Sequence, residues 1–229
     1  MTSSFNAFGK SNKEFGNPSV PVWVGKVRAV PVGGSLASAY LHKGALYAAG
    51  TPVQLDGKTL KVFIGFVVTA FSAGDGSTTP NDTITIKPYV AGGATILPAT
   101  NDFIQKVGAT FAATGKAAKV VSIAAGATEG TYDVAVAHSA TVDTPQAGDI
   151  ITFSAATAAG SSKSIAVIPN GYLYNDIYLG DIDVTAEGAG ASGAVVSFHG
   201  EGILINRTPA AAVKVLMATA VPHVLQVNY

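Results

Sequence analysis

The chain contains no cysteine among its 229 residues, and this absence excludes several kinds of chemistry. Without thiols the protein has no disulfide, no thiolate ligand for a metal and no cysteine nucleophile. A chain without disulfides also suits assembly in a reducing cytoplasm. Any function must therefore use carboxylate, imidazole, hydroxyl, amide or aromatic groups.

Charged residues are scarce as well, at 12% of the chain, against roughly 25% in an ordinary globular domain. The 14 basic and 14 acidic residues give a formal net charge of zero, and the lysines are scattered. Because nucleic-acid binders present a basic face to phosphates, we expect no nucleic-acid partner. Few charges and much Ala, Gly, Val and Thr are typical of a surface that packs against other chains.

Long hydrophobic runs are also absent. The longest apolar run, from Val62 to Ala70, is about half of what a membrane-spanning helix needs. The first residues, Met1–Asn6, lack a basic stretch followed by an apolar one, so they do not resemble a secretory signal. We therefore expect neither a membrane partner nor export.

Residues 1–22 differ in composition from the rest of the chain. Phe5, Phe8 and Phe15 are spaced among Ser, Asn, Lys and Gly, and this segment cannot build a core of its own. Aromatic anchors without a local partner favour an extended arm that docks on a neighbouring protein, with Trp23 as a further contact. The alternative is a disordered terminus.

From Pro21 onward, short apolar or alternating segments separated by turn residues predict an all-β or β-rich sandwich or barrel. Asp56-Gly57 predicts a hairpin over Gln54–Leu60 with a type I′ turn. Residues 61–71 predict one central apolar strand. The other main strands are predicted at residues 22–24, 26–30, 83–90, 119–123, 132–137, 149–153, 173–184, 194–199 and 202–206.

The helical signals are few. Residues 102–113 predict a short helix with Asn101 or Asp102 as its N-cap. Residues 210–218 fit either a closing helix or a strand, and residues 224–229 predict a final β arm.

Motifs that suggest an enzyme lack their required context. Gly188–Gly193 fits G-x-G-x-x-G, but the residues that follow predict a strand, whereas a dinucleotide site needs a helix there. His199-Gly200-Glu201 has the H-x-E form of zinc deaminases, which also need two cysteines. A Gly-rich hairpin loop and a locally hydrogen-bonded histidine explain these motifs better.

The densest acidic cluster comprises Asp176, Asp181 and Asp183. Asp181 and Asp183 share one face of a predicted strand, where two carboxylates can hold calcium or act as an acid/base pair. The polar outer side of a core strand explains the same spacing better. We therefore expect no metal site, no cofactor and no catalytic residue.

Two groups of segments resemble head-fibre and head-decoration proteins of tailed bacteriophages, over about half of the chain. The first is Tyr47–Val53 (YAAGTPV) followed by Ile64–Val68 (IGFVV), which is similar to a strand pair of such proteins. The second is Asn170–Asp183, followed by His199–Ile203 and Arg207, which is similar to the closing half of head-fibre proteins.

The resemblance implies a β-rich domain that oligomerises, docks on an icosahedral capsid through an N-terminal segment and catalyses no reaction. Residues 1–22 would be the capsid-anchoring arm, and residues 23–71 with 167–229 the decoration core. Residues 72–166 depart from the compact pattern, which indicates an inserted lobe that faces outward. The capsid contacts expected on this basis are Phe5, Phe8, Phe15 and Trp23.

The leading hypothesis is therefore a virion structural protein on the capsid exterior, assembled in the host cytoplasm. Its partners would be the major capsid protein and further copies of itself, as a homotrimer in preference to a dimer. The alternative is an adhesive or carbohydrate-binding module with exposed aromatic residues, for which the candidates are Tyr89, Tyr132, Tyr172, Tyr174 and Tyr178. A polysaccharide hydrolase that uses Asp181 and Asp183 is the least favoured hypothesis.

Overall fold

The computed structural model of the chain describes residues 23–24, 27–28, 30–37, 42, 44–91, 94–138, 143–179, 192–197, 202–205 and 211–227. Strands dominate this part of the chain, so the predicted β-rich fold is confirmed. The elements are β1 (Trp23–Val24), β2 (Val30–Leu36), β3 (Leu46–Tyr47), β4 (Pro52–Asp56), β5 (Thr59–Val62), β6 (Gly65–Ser72), β7 (Asn81–Lys87), β8 (Tyr89–Ala91), β9 (Ala94–Ile96), β10 (Phe103–Lys106), β11 (Gly115–Lys116), β12 (Ala118–Ala125), β13 (Tyr132–Ala137), β14 (Ile150–Phe153), β15 (Ser162–Lys163), β16 (Gly171–Leu173), β17 (Ile177–Tyr178), β18 (Ser192–Ser197), β19 (Gly202–Ile205), α1 (Ala211–Ala220) and β20 (Val224–Val227).

Six strands close into a barrel in the order β10-β12-β13-β7-β6-β14, and β14 pairs with β10 to complete it. All neighbouring strands in this six-stranded barrel are antiparallel. Alternation along β7 buries Ile84 and Ile86, and alternation along β13 buries Val134 and Val136. The period-2 pattern of the sequence therefore builds the core of this barrel.

Five strands close into a second barrel in the order β16-β18-β2-β5-β4, completed by the pairing of β4 with β16. The pair β2 and β5 is parallel, whereas the other pairs are antiparallel. Smaller sheets accompany the barrels: β1-β19-β20, β11-β15, β17-β3 and β8-β9.

The chain passes from the five-stranded to the six-stranded barrel at Phe63 and Ile64, between β5 and β6. The prediction of one strand over residues 61–71 is wrong, because the two halves pair with different barrels. The Thr152 hydroxyl donates a hydrogen bond to the Ile64 carbonyl at 2.7 Å. This bond satisfies a backbone group at the break, where ladder pairing stops.

The predicted division into residues 23–71 with 167–229 and a lobe of 72–166 stays a prediction. By its pairing, β6 belongs to the six-stranded barrel, with β7, β10, β12, β13 and β14. The six-stranded barrel thus lies in the sequence between β5 and β16, which are both strands of the five-stranded barrel.

Two clusters of buried side chains each include residues from both barrels. In the first, Leu36 and Leu60 of the five-stranded barrel join Phe66 and Ile84 of the six-stranded barrel. In the second, Ile150 of the six-stranded barrel and Tyr172 of the five-stranded barrel join Met217 of α1. Because burial of apolar surface is the main stabilising term in folding, these shared clusters couple the stability of the two barrels.

The hairpin predicted around Asp56 and Gly57 is confirmed, but its turn differs from the predicted type. Asp56 pairs with Thr59, so the two loop residues are Gly57 and Lys58. Gly57 has a φ of 59°, whereas Lys58 is not among the residues with positive φ. A glycine with positive φ at the first loop position alone is the pattern of a type II′ turn.

The helix predicted over residues 102–113 is wrong, because Phe103–Lys106 forms the strand β10 between β12 and β14. Pairing on both sides buries Ile104 and Gln105, two consecutive residues, and outweighs local helix propensity. Asn101 has a φ of 76°, whereas an N-cap residue typically adopts β-region angles.

Residues Ala211–Ala220 form the helix α1. Of the helix and the strand that fit residues 210–218, the helix is therefore confirmed. Helix α1 leads into β20, which pairs in parallel with β19, so the predicted β structure after residue 224 is confirmed for Val224–Val227. In the described part of the chain, no helix has the length and apolarity to cross a membrane.

Candidate functional site

Trp23, one of the predicted anchor residues, packs against its own chain. Its indole Nε1 donates a hydrogen bond to the Leu173 carbonyl at 3.3 Å. Its ring lies edge-on to Tyr172 at 6.2 Å between centroids and tilted to Tyr174 at 6.3 Å. These contacts attach β1 to the five-stranded barrel, and the role of Trp23 as a capsid contact stays a prediction.

Several other predicted residues lie outside the described part of the chain. They are the arm residues Phe5, Phe8 and Phe15, the acidic residues Asp181 and Asp183, and His199 and Glu201. The third acidic residue, Asp176, is described, and its Oδ1 accepts a hydrogen bond from the Ala49 backbone at 2.7 Å. Asp176 therefore has a structural role in holding the segment that leads into β4.

The five tyrosines considered for carbohydrate binding differ widely in exposure. Tyr172 is fully buried, Tyr89, Tyr132 and Tyr174 are half-buried, and Tyr178 is 58% exposed. Core packing therefore explains Tyr172, and none of the five lines the cleft described below.

The buried Tyr172 hydroxyl has no hydrogen-bond partner among the described residues. Burial also raises the pKa of Tyr172 above its ordinary value. Since an unsatisfied buried hydroxyl costs about 1–3 kcal/mol, we expect Tyr172→Phe to leave the free energy of unfolding unchanged or to raise it by about 1 kcal/mol. Urea denaturation measures this difference.

Tyr47→Phe is the matched control, because Tyr47 is equally buried and its hydroxyl is hydrogen-bonded to the backbone of His42. This substitution should lower the free energy of unfolding by about 1 kcal/mol. Equal destabilisation by the two substitutions would mean that the Tyr172 hydroxyl does have a partner.

An aspartate–histidine pair lies at one end of the six-stranded barrel. Asp82 Oδ1 is 2.7 Å from His138 Nδ1 and accepts a hydrogen bond from the Gly74 backbone at 2.8 Å. Asp82 is buried, and a Cβ atom at Gly76 would lie 2.9 Å from the His138 ring. The pair therefore holds the loop between β6 and β7 in place. None of the described contacts brings a nucleophile next to the pair.

A cleft of about 370 Å³ lies beside β10 and the end of β14. It is lined by His42, Leu97, Ala99, Asn101, Asp102, Phe103, Phe153 and Ser154. The cleft is therefore lined by His42, which precedes β3, and by residues of the six-stranded barrel and the turn before β10. Its polar groups are an imidazole, an amide, a carboxylate and a hydroxyl, and its apolar groups include two phenyl rings.

The turn that carries Asn101 and Asp102 is held firmly. Asn101 donates its backbone N–H to the Val120 carbonyl at 2.9 Å, and Val120 donates its own to the Asp102 carbonyl at 2.9 Å. Asp102 Oδ2 accepts the Ala99 N–H at 2.6 Å. Among the described residues, Asn101 is the one non-glycine with positive φ, a conformation that is enriched at ligand sites.

The described lining of the cleft carries one acidic side chain, Asp102, and one imidazole, His42. Burial lowers the pKa of His42 below its ordinary value, and the nearby Asp102 carboxylate partly opposes this shift. His42 is therefore mostly neutral at pH 7 and does not offset the acidic side chain of Asp102. The lining contains no lysine or arginine among the described residues.

A metal site is not supported by the described residues, in which no three His, Asp or Glu side chains come together. Comparison with known protein families, curated proteins and solved structures finds no match for this chain. Function must therefore be inferred from the residues and their geometry.

Sequence reasoning missed the cleft because it placed Asn101 and Asp102 at the start of a helix. An Asn-Asp pair after Pro98-Ala99-Thr100 is also a turn signal. That signal would have placed the two polar side chains on a strand-connecting turn, but not beside His42 or Phe153.

Proposed function

We propose that the chain is a structural protein of a phage virion that binds the outside of the capsid as an oligomer. The proposal combines the sequence resemblance with one structural observation, the position of the chain's first described strand. Trp23 in β1 donates a hydrogen bond to the Leu173 carbonyl and packs against the rings of Tyr172 and Tyr174. An arm formed by residues 1–22 would therefore leave from a firmly attached point.

The position of the six-stranded barrel supports the same proposal. It is inserted between β5 and β16, whereas β1 and β20 both belong to the sheet that contains β19. The arm and the inserted barrel therefore join the protein at different places. This arrangement would let the arm hold the capsid while the inserted barrel faces away from it.

Self-association into a homotrimer is part of the proposal, with a dimer as the alternative. The low charge supports it, as do two large apolar side chains, Val215 on α1 and Leu225 on β20, which are 69% and 60% exposed. Several copies on a symmetric capsid site would add their weak contacts, because linked binding events raise the overall affinity.

Deletion of residues 1–20 tests the arm. We expect the shortened protein to lose co-sedimentation with bare capsids while light scattering shows an unchanged oligomer. Trp23 is retained and is the one tryptophan of the chain, so its fluorescence reports that the five-stranded barrel is still folded. Capsid binding that survives the deletion would contradict the role of the arm.

A matched pair of triple variants separates the aromatic residues from the rest of the arm. Replacing three anchor residues should weaken capsid binding by at least about tenfold; the changes are Phe5→Ser, Phe8→Ser and Phe15→Ser. Three polar replacements in the same arm should leave binding unchanged; they are Asn6→Ser, Asn12→Ser and Asn17→Ser. Equal effects of the two variants would assign no special role to the phenylalanines.

An adhesive or carbohydrate-binding module is the second candidate, and the cleft beside β10 is the observation that favours it. The two functions are compatible in one protein, because the arm and the cleft use different residues. A polysaccharide hydrolase has no such support in the described residues, since Asp181 and Asp183 lie outside them.

A further inference from the structure

The lining of the cleft combines groups that recognise opposite kinds of chemistry. Phe103, Phe153 and Leu97 provide apolar surface, whereas His42, Asn101 and Asp102 provide hydrogen-bonding groups. A purely apolar ligand would leave the polar groups without water or partners, at a cost in free energy. The ligand that matches this lining carries both C–H faces and several hydroxyl groups.

The available hydrogen-bonding capacity lies mostly in three side chains. The Ser154 hydroxyl already donates to Gln105 Oε1 and accepts from the Ala156 N–H at 3.1 Å. Asp102 uses Oδ2 for the Ala99 N–H. Asp102 Oδ1, the Asn101 amide and the His42 imidazole are therefore the groups best placed for a ligand.

The turn is preorganised for binding. The backbone bonds to Val120 hold Asn101 at its positive φ, and the carboxylate of Asp102 is fixed by Ala99. The backbone of the turn and the Asp102 side chain are therefore already ordered, and ordered groups lose little entropy when a ligand arrives. This rigidity favours binding by a small ligand, which makes few contacts.

The acidic side chain in the lining disfavours one class of ligand. The Asp102 carboxylate repels anions, and the described lining has no lysine or arginine to offset it. A uronate, a sialic acid or a phosphate is therefore disfavoured.

We propose that the cleft bounded by His42, Asn101, Asp102, Phe103 and Phe153 binds a neutral saccharide of one or two rings. Sugar hydroxyls would pair with the carboxylate, amide and imidazole, and the C–H face of a sugar ring would lie on a phenyl ring. The size agrees, because a cleft of about 370 Å³ is near the lower end of the range of ligand sites, roughly 300–1,000 Å³. This inference rests on the carbohydrate-binding function proposed above and not on capsid binding.

Saturation-transfer NMR on the full-length protein tests the inference. The neutral probes are glucose, galactose, mannose, N-acetylglucosamine and their β-linked disaccharides, and the anionic probes are glucuronate and N-acetylneuraminate. We expect at least one neutral probe to bind, and both anionic probes to bind more weakly than that neutral probe. The absence of transfer to all neutral probes, or tighter binding of an anionic one, would overturn the proposal.

Two variants locate the site. Asn101→Gly removes the amide while glycine keeps the positive φ, and Asp102→Asn removes the charge while an amide oxygen still accepts the Ala99 N–H. Each should weaken binding about tenfold, the typical effect of one lost hydrogen bond to a polar ligand. Asp56→Asn, an exposed carboxylate on β4, is the control and should have no effect.

Affinity that is unchanged in both cleft variants would place any sugar elsewhere and overturn the assignment. Circular dichroism of each variant verifies that the fold is retained. Failure of this test leaves the capsid experiment unaffected, because that experiment measures the arm.

Discussion

Replacing Phe66 by alanine is expected to lower the free energy of unfolding by about 4 kcal/mol. Phe66 is fully buried in β6, and its ring packs edge-on against Phe153 at 5.7 Å. Alanine would leave a cavity in the centre of the six-stranded barrel and remove an aromatic contact. Urea denaturation followed by circular dichroism measures the loss.

The same substitution tests whether the two barrels unfold together. Trp23 reports on the five-stranded barrel, whereas Phe66 lies in the six-stranded barrel, and the buried clusters include residues from both. We therefore expect Phe66→Ala to lower the urea midpoint by the same amount whether unfolding is followed by Trp23 fluorescence or by circular dichroism. If the midpoint measured by circular dichroism falls while the midpoint measured by fluorescence is unchanged, the two barrels unfold independently.

Val121→Ala is the control for Phe66→Ala. Val121 lies on β12 of the same barrel but is 40% exposed. Surface substitutions usually change stability by no more than about 0.5 kcal/mol. A comparable loss in both variants would indicate that the six-stranded barrel tolerates no change of any kind, and not that Phe66 fills its core.

Replacing Gly74 by alanine is expected to lower the free energy of unfolding by about 3 kcal/mol. A Cβ atom at Gly74 would lie 2.3 Å from the Thr79 carbonyl oxygen and 2.5 Å from that of Asn81. Both are backbone atoms, so the loop between β6 and β7 would have to move. That movement would also strain the hydrogen bond from Gly74 to Asp82.

Gly57→Ala is the matched control, because it separates crowding from conformation. A Cβ atom at Gly57 has no neighbour within 4 Å, but the residue has a φ of 59°. Alanine at this position should lower the free energy of unfolding only by the conformational cost of a positive φ, about 1–2 kcal/mol. Urea denaturation of both variants measures the difference, and a smaller loss for Gly74→Ala than for Gly57→Ala would show that the loop relaxes easily.

Local patterns predict those strands whose alternation matches the faces of a barrel. The strand β13 has the bounds predicted for it, 132–137, because its alternation places the apolar Val134 and Val136 in the core. The helix predicted from residue 102 was wrong because β10 finds its partners in β12 and β14, and β14 lies more than forty residues later. No local signal contains that information.

The candidate site shows the same limit. Asn101, Asp102 and Phe103 are neighbours in the sequence, but Phe153 and His42 reach the cleft only through the pairing of β10 with β14 and the packing of the segment before β3. The chemistry of each residue type could be read from the sequence. Their meeting in one cleft could not.

The sequence by itself determined the β-rich class and the absence of thiol chemistry, because both follow from residue types and short-range alternation. The tertiary structure decided the break at Phe63 and Ile64, the division of the strands between two barrels and the position of the cleft. These features depend on pairing between strands far apart in the chain. Burial and hydrogen bonding select such pairings over the whole fold, so that local propensity does not decide them.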